Sequence, residues 1–576
     1  MNTDRLDPFY DMIGVALPMP SSFRALPKLS RPNKEQLQAA AELERSFTKK
    51  SGILPGTYTK FEDVKELIDN VYYRLWDILE GELLKYDNLA ICKLLYQKFE
   101  VILGHLHMKK YQTAAEQILT GRTQGSEKRL DIWRVITPTT EGIKFLLEMA
   151  IKCCGDQGLT SGGSGLDFLI SLSTRIVMLD EYLDTIYYRI IPYEITIDQD
   201  FSIHGGITNR AKVALDNFEK YEETQMAQAD RDFVDNLKMS MGQETKVDDL
   251  RTFPELVTLD KAMTEELGYG IFDWLNYVEG CMSLFGEIEY LKIIGVPRLT
   301  RHLRDVVGLN PEKVELLLRD HALSQANIKA LTRKDMMPIE NYKRDSRLLR
   351  RPLLEISHGG ARIAMMGIET FNIGRQVFFD SLQYGTLQIP KMQPEGPVKK
   401  AIGFLQAQMG APFRDSIASK CIAKGFKAET EWPIPKKDKT DKPVGPIDIL
   451  VIDQKKRRFI LVEAKNLQSQ GIIPKEMKGQ RDRFLGENEQ DDQAFIQVLK
   501  DKEQTFASNK EWHLHKLKRK LKMDGLKDYS VESVIVVFRP LFWPLFATEP
   551  LPILDDLEFY KRLQLGKHFL TTPIII

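Results

Sequence analysis

The stretch that decides the fold is GPIDILVIDQKKRRFILVEAKN, residues 445–466. Two β-favouring runs, 446–453 and 458–465, flank a short polar segment, and the pattern reads as a hairpin. Side chains alternate faces along a strand, so Glu463 and Lys465 share one face and Ala464 takes the other. Asp448 opens the first strand and Glu463 and Lys465 close the second. Antiparallel pairing therefore brings the three to one end, expected here to be the closed end of the hairpin. Two carboxylates and an ammonium beside an apolar hairpin are costly to bury without a function. The bland alternative is a surface hairpin with a cross-facing Glu463–Lys465 ion pair.

The chemistry such a trio suits is phosphodiester hydrolysis. Carboxylate oxygens hold Mg²⁺, which keeps waters and takes further ligands from phosphate. The metal lowers the pKa of a bound water and offsets charge developing on the phosphate. A neighbouring lysine orients or deprotonates that water, or stabilises the transition state. Outward from the hairpin the pattern gives helices at 398–409 and 412–424 and a strand at 426–432. Beyond it come helices at 474–485 and 489–521 and a strand at 531–538. That alternation implies an α/β domain of about 180 residues.

With these residues in this order of elements, the segment resembles the PD-(D/E)xK, or restriction-endonuclease-like, nuclease superfamily. The pattern is an acid on one strand and (D/E)-x-K on the next, here Asp448 and Glu463-Ala464-Lys465. Pro446-Ile447-Asp448 stands in place of the literal Pro-Asp. The resemblance implies that Asp448 and Glu463 are metal ligands and Lys465 the catalytic lysine, with Mg²⁺ as cofactor and Mn²⁺ able to substitute. Many members also carry a Glu on the first helix, just after an aromatic. Here Pro412-Phe413-Arg414-Asp415 puts Arg414 at that place, and the nearest acid is Asp415. Asp415 is either a third metal ligand or an N-terminal helix charge favoured by the dipole. Gln480 lies on the helix after the core strand, where some members contact the site or the nucleic acid; a solvated helix residue is the alternative.

The chain carries 81 basic and 81 acidic residues, but 399–540 holds 29 Lys+Arg against 20 Asp+Glu. That excess suits either a local polyanion site or a solvated surface. Lys436-Lys437, Lys455-Lys456-Arg457-Arg458 and His515–Lys522 are candidate sequence-independent phosphate contacts, or ordinary exposed faces. Trp512 and Trp543 either stack on bases or pack.

A length of 576 residues suggests roughly two to four domains. Helices are expected at 33–48, 88–104, 111–120, 139–154, 165–186, 207–225 and 260–285. Another follows the capping box Thr59-Lys60-Phe61-Glu62, with Val64, Leu67, Ile68, Val71, Leu75, Ile78 and Leu79 at helical spacing. Asn310-Pro311 opens a helix running to about His321. Strands at 351–356 and 361–368, joined by Ser357-His358-Gly359-Gly360, then a helix at 369–384 and a proline-rich linker at 389–397, follow. The expected fold class is multi-domain: a mainly α-helical N-terminal region (1–345), a small hairpin, helix and linker (346–397), and an α/β restriction-endonuclease-like domain (398–576).

Five scattered cysteines form neither CxxC pairs nor a disulfide framework, which favours a reducing compartment. Gly158–Gly165 lacks the Gly-Lys-Ser/Thr of a P-loop. His105/His107 and His513/His515 are spaced by two on helices and diverge. The acidic, proline-broken N-terminus reads as no signal peptide, and no apolar run reaches the roughly 18 residues of a membrane span. A cytoplasmic protein is expected. The combined reading is a Mg²⁺-dependent endonuclease acting on DNA, without a membrane, whose helical region senses, gates or assembles through self-association or a partner protein. That architecture resembles prokaryotic phage-defence effectors. The alternatives are a non-catalytic nucleic-acid-binding or protein scaffold with a degenerate nuclease fold, and an RNA-directed nuclease.

Overall fold

In the computed structural model the described residues are 27, 33–120, 126–160, 165–209, 211–213, 251, 254–286, 289–337, 347–383, 385–435, 445–465, 467, 474–486, 494–523, 528–537, 541, 543–546, 551–569 and 574–575. They form mixed helix and sheet in two compact units. One runs up to Tyr187 and from Pro192 to Phe404; the other comprises Tyr188–Ile191 and the chain from Leu405 onward. Among the described residues no helix is long and apolar enough to cross a membrane.

The first unit contains α1 (Lys34–Lys50), α2 (Phe61–Leu83), α3 (Asn88–Thr120), α4 (Ser126–Cys153), α5 (Leu166–Tyr188), α6 (Pro254–Leu267), α7 (Ile271–Met282), α8 (Val296–Val307) and α9 (Pro311–His321). The short α10 (Gln325–Ile328) and α11 (Arg333–Met336) and then α12 (Ile368–Gln383) complete its helices among the described residues. The apolar stripe of α2 is buried as its spacing requires, and Trp76 packs on Phe145 with ring centroids 4.9 Å apart. The expected capping box does not form. The N-cap is Lys60, without a side-chain cap bond, so Thr59 and Glu62 are one residue out of register. Asn310 does cap α9, accepting from the Lys313 amide at 2.8 Å. The single helix expected at 260–285 is broken between α6 and α7. Gly268 there has φ +86°, and a Cβ on Gly270 would lie 1.9 Å from Asp260 Oδ1, which accepts the Phe272 amide. The helix expected at 207–225 falls almost wholly outside the described residues.

Strands β1 (Gly56–Tyr58), β2 (Tyr193–Ile197) and β3 (Ile203–Ile207) form an antiparallel sheet that the sequence reading did not anticipate. Strands β4 (Leu291–Gly295), β5 (Ala322–Ser324), β6 (Leu353–His358) and β7 (Ala361–Gly367) form a second sheet in the order β4-β7-β6-β5. The hairpin expected near 351–368 is the β6–β7 pair at its centre, inside the first unit.

The second unit is organised around strands that are apolar on both faces, as buried strands are. Its sheet runs β12 (Ile553–Asp555), β11 (Ser530–Val537), β10 (Arg458–Lys465), β9 (Ile447–Asp453), β8 (Lys427–Trp432), with β13 (Ile574–Ile575) also pairing β11. β9 runs antiparallel to both its neighbours, β8 and β10, whereas β10, β11 and β12 are parallel. Ile449, Val451, Ile460, Val462, Val534 and Val536 face one helix layer. That layer is the second half of α13 (Pro397–Ala423), through Ile417, Ala418 and Cys421, and α17 (Asp556–Leu565), through Phe559 and Tyr560. Leu450, Ile452, Phe459, Leu461 and Val531 face the other layer, meeting Phe506 of α15 (Phe495–Ser508) and Leu517 of α16 (Lys510–Leu521). The helix α14 (Pro474–Leu485) joins α15 through Phe484 and Phe495, 5.3 Å between rings. Two helices expected in 398–424 are one, α13, and one expected at 489–521 is two, parted at Asn509.

Candidate active site

The ladder between β9 and β10 runs from Asp453 opposite Arg458 to Ile449 opposite Val462 and stops there. Asp448 is the next residue along β9, and its side chain replaces a main-chain partner. Its Oδ2 accepts the Ala464 amide at 2.9 Å. Glu463 and Lys465 lie at the same end, where β10 continues beside β11 with Glu463 opposite Ile535 and Lys465 opposite Val537. Glu463 and Lys465 thus sit at the carboxyl end of β10 beside the parallel β11, with Asp448 next to them at the amino end of β9. The carboxyl edge of parallel strands is where open α/β sheets bind their ligands. It is the open end of the hairpin. The turn 454–457 is at the other end, about 17 Å away at roughly 3.3 Å per residue. The expectation of a closed-end site is corrected by this register.

Glu463 is 5% exposed, and each of its oxygens meets an ammonium. Lys465 Nζ lies 2.8 Å from Oε1 and Lys502 Nζ 2.6 Å from Oε2. Lys465 also lies over the Phe495 ring, 4.9 Å from its centroid. Lys502 comes from α15 and is itself 4% exposed. Sequence reasoning missed it, although a signal was present. It falls on the buried stripe Ile496, Leu499, Lys502, Glu503, Phe506, where a lysine has no place unless an anion waits opposite. The next residue, Glu503, is buried on the same stripe and accepts the Ser533 hydroxyl of β11 at 2.9 Å.

Electrostatics pull the two carboxylates apart. Burial, then the negative charge of Glu463, raises the Asp448 carboxyl above its usual range, against Lys465, Lys502 and the Ala464 amide. Burial would also raise Glu463, but Lys465 and Lys502 outweigh it and hold that carboxyl below its usual range. Neighbouring acids displaced in opposite directions are the arrangement expected where proton or cation chemistry is done.

The other expected residues lie elsewhere. Asp415 does not join Asp448 and Glu463; its side chain is 57% exposed and accepts from Arg414 Nε at 3.0 Å. The reason is topological: α13 packs on the opposite face of the sheet from α15. Among the described residues no group of three or more His, Cys, Asp or Glu is gathered for a metal. Gln480 is half-buried midway along α14. Lys455, Lys456 and Arg457 are exposed in the turn, at the far end of the hairpin. Arg458 cannot serve a ligand there. It is 1% exposed, bonded by Nε to Asp453 Oδ2 at 3.0 Å and by Nη1 to the Lys567 carbonyl at 2.6 Å. Lys436 and Lys437 lie outside the described residues. The cluster 515–522 lines the outer side of α16 and its C-cap, where Lys516 lies 4.8 Å from the Trp512 ring centroid and Lys520 pairs with Glu429. Trp543 is buried against Phe484, whereas Trp512 is partly exposed. His513 is buried and His515 exposed, so that pair diverges as expected. All five cysteines are free thiols.

A comparison of the chain with protein-family models, with curated proteins and with solved structures finds no match, so what this site can do has to be read from its own residues.

Proposed function

We propose that the second unit is a Mg²⁺-dependent nuclease of restriction-endonuclease-like fold that hydrolyses phosphodiester bonds, with DNA as the preferred substrate. One observation carries the reading: Asp448 and Glu463, two neighbouring carboxylates, meet at the carboxyl end of β10 with the Lys465 ammonium on a Glu463 oxygen. The sequence of helix, antiparallel strands, helices and a parallel strand beside β10 supports it. The donor set suits a hard divalent cation, which takes carboxylate oxygens and leaves room for phosphate. Asp448 and Glu463 would hold it, and their mutual repulsion is what a bound cation relieves. When bound, the metal supplies Lewis-acid activation of water and of the phosphoryl group. Lys465, anchored by Glu463, is placed to orient the attacking water or to offset charge on a phosphate oxygen. Lys502 keeps Glu463 ionised, and the Ala464 amide fixes the Asp448 carboxylate. The first unit then senses, gates or assembles.

The test is cleavage of plasmid, linear and single-stranded DNA and of RNA by the full chain, with and without Mg²⁺. Asp448→Ala, Glu463→Ala and Lys465→Ala should each abolish turnover while the protein stays folded. Undiminished cleavage by all three variants would sink the reading. The scaffold alternative also has an observation in its favour: both Glu463 oxygens are already engaged by ammonium groups. It predicts nucleic-acid binding without metal-stimulated turnover.

A further inference from the structure

The four charged groups at the end of β9 and β10 cancel: Asp448 and Glu463 against Lys465 and Lys502. Lys465 and Lys502 are not equivalent. Lys465 is on the same strand as Glu463 and lies over an aromatic ring at the rim. Lys502 is buried on the stripe of α15 that also carries Ile496, Leu499 and Phe506, and it pairs with Glu463. A buried ammonium has no cheap alternative position, because leaving its carboxylate exposes it to apolar surroundings. Adding a divalent cation to this balanced set leaves two positive charges uncompensated beside the buried Glu463 and Lys502. A phosphodiester anion supplies the missing negative charge.

We propose that Lys502 is the internal counter-cation of the site, occupying in the free protein the Glu463 oxygen that a divalent metal would share. Metal and nucleic-acid phosphate then load together. This rests on the reading of Asp448 and Glu463 as metal ligands. It makes Lys502 a positioning residue with a measurable cost: it weakens metal binding to the free protein and ties it to substrate. By linkage, metal tightens nucleic acid by the same factor that nucleic acid tightens metal.

The experiment is calorimetric titration of Mn²⁺ into the full chain, with three comparisons. Wild-type protein is titrated alone and with a non-cleavable phosphorothioate oligonucleotide; Lys502→Met is titrated alone, methionine suiting the apolar stripe; Asp448→Asn is titrated as the site control. The expected result is about tenfold or more tighter Mn²⁺ binding with the oligonucleotide, within the common range of coupling. A gain of similar size is expected for Lys502→Met without it, and loss of both for Asp448→Asn. Equal Mn²⁺ affinity in wild-type and Lys502→Met, or weaker binding by the variant, overturns the role of Lys502 while leaving the metal centre standing. No Mn²⁺ binding by any protein, even with oligonucleotide, overturns the metal reading and this inference with it. If Lys502→Met does not fold, the wild-type comparison with and without oligonucleotide still decides: an unchanged affinity refutes the joint loading.

Discussion

Acid should destabilise the second unit through His513, and the size of the effect follows from its surroundings. The ring is fully buried, stacked on Phe506 at 4.0 Å, and its Nδ1 accepts the Trp432 indole N–H at 3.0 Å. Adding a proton at Nδ1 would set two donors against each other. Burial first, and then the Lys516 charge, push the imidazole down to about 4. In the unfolded chain the ring titrates near 6.5. Below that pH the unfolded state binds the extra proton, so stability is fully present above 6.5 and is lost as pH falls through 4. By about pH 4.5 the loss from this one group is about 2 kcal/mol. His513→Asn isolates it, because the amide oxygen still accepts from Trp432 but does not titrate. Urea unfolding of the full chain, followed by tryptophan fluorescence, should show the wild-type margin over the variant shrinking by about 2 kcal/mol between about pH 7 and 4.5. A margin constant across that range would refute the argument.

Three further outcomes follow from the geometry. Glu463→Ala strands a buried lysine, so beyond losing turnover it should lower the unfolding free energy by about 3 kcal/mol; an unchanged denaturation midpoint would show that Lys502 finds another partner. Joint replacement of Lys455, Lys456 and Arg457 by alanine should leave the cleavage rate within about twofold, since the turn is about 17 Å along the strands from Asp448; a rate loss above tenfold would put the substrate path along the hairpin. Gly270→Ala forces a Cβ into Asp260, whose carboxylate holds the first turn of α7, and should cost about 1–3 kcal/mol by thermal unfolding.

What could be read from the sequence was what is local. The bounds of β10 and the shared face of Glu463 and Lys465 followed from alternation within eight residues. Asp448 was found because strand pairing turns a sequence separation of 15 residues into adjacency across a hairpin. What escaped was set by distant partners. Arg458 looked like part of a basic turn, but Asp453, Glu532 and the carbonyl of Lys567 draw it inside. Asp415 sat at a plausible helix position, yet nothing in its own segment says which face of the sheet that helix covers. β1 is three residues long and takes its partner from β2, over 130 residues later, so it left no periodicity to detect.

Lys502 and Glu503 are consecutive on α15, yet one reaches Glu463 of β10 and the other Ser533 of β11. A single helical turn therefore stitches two adjacent strands with two different kinds of bond. This couples the choices open to mutation. Neutralising Glu463 turns Lys502 from an asset into a liability, and replacing Lys502 leaves Glu463 with a single cation. Variants of this protein that abandon one should abandon the other, whereas Glu503 and Ser533 are free to drift as a pair of their own. The two pairs would leave separate records of substitution in one short helix, and only the first would follow the fate of the active site.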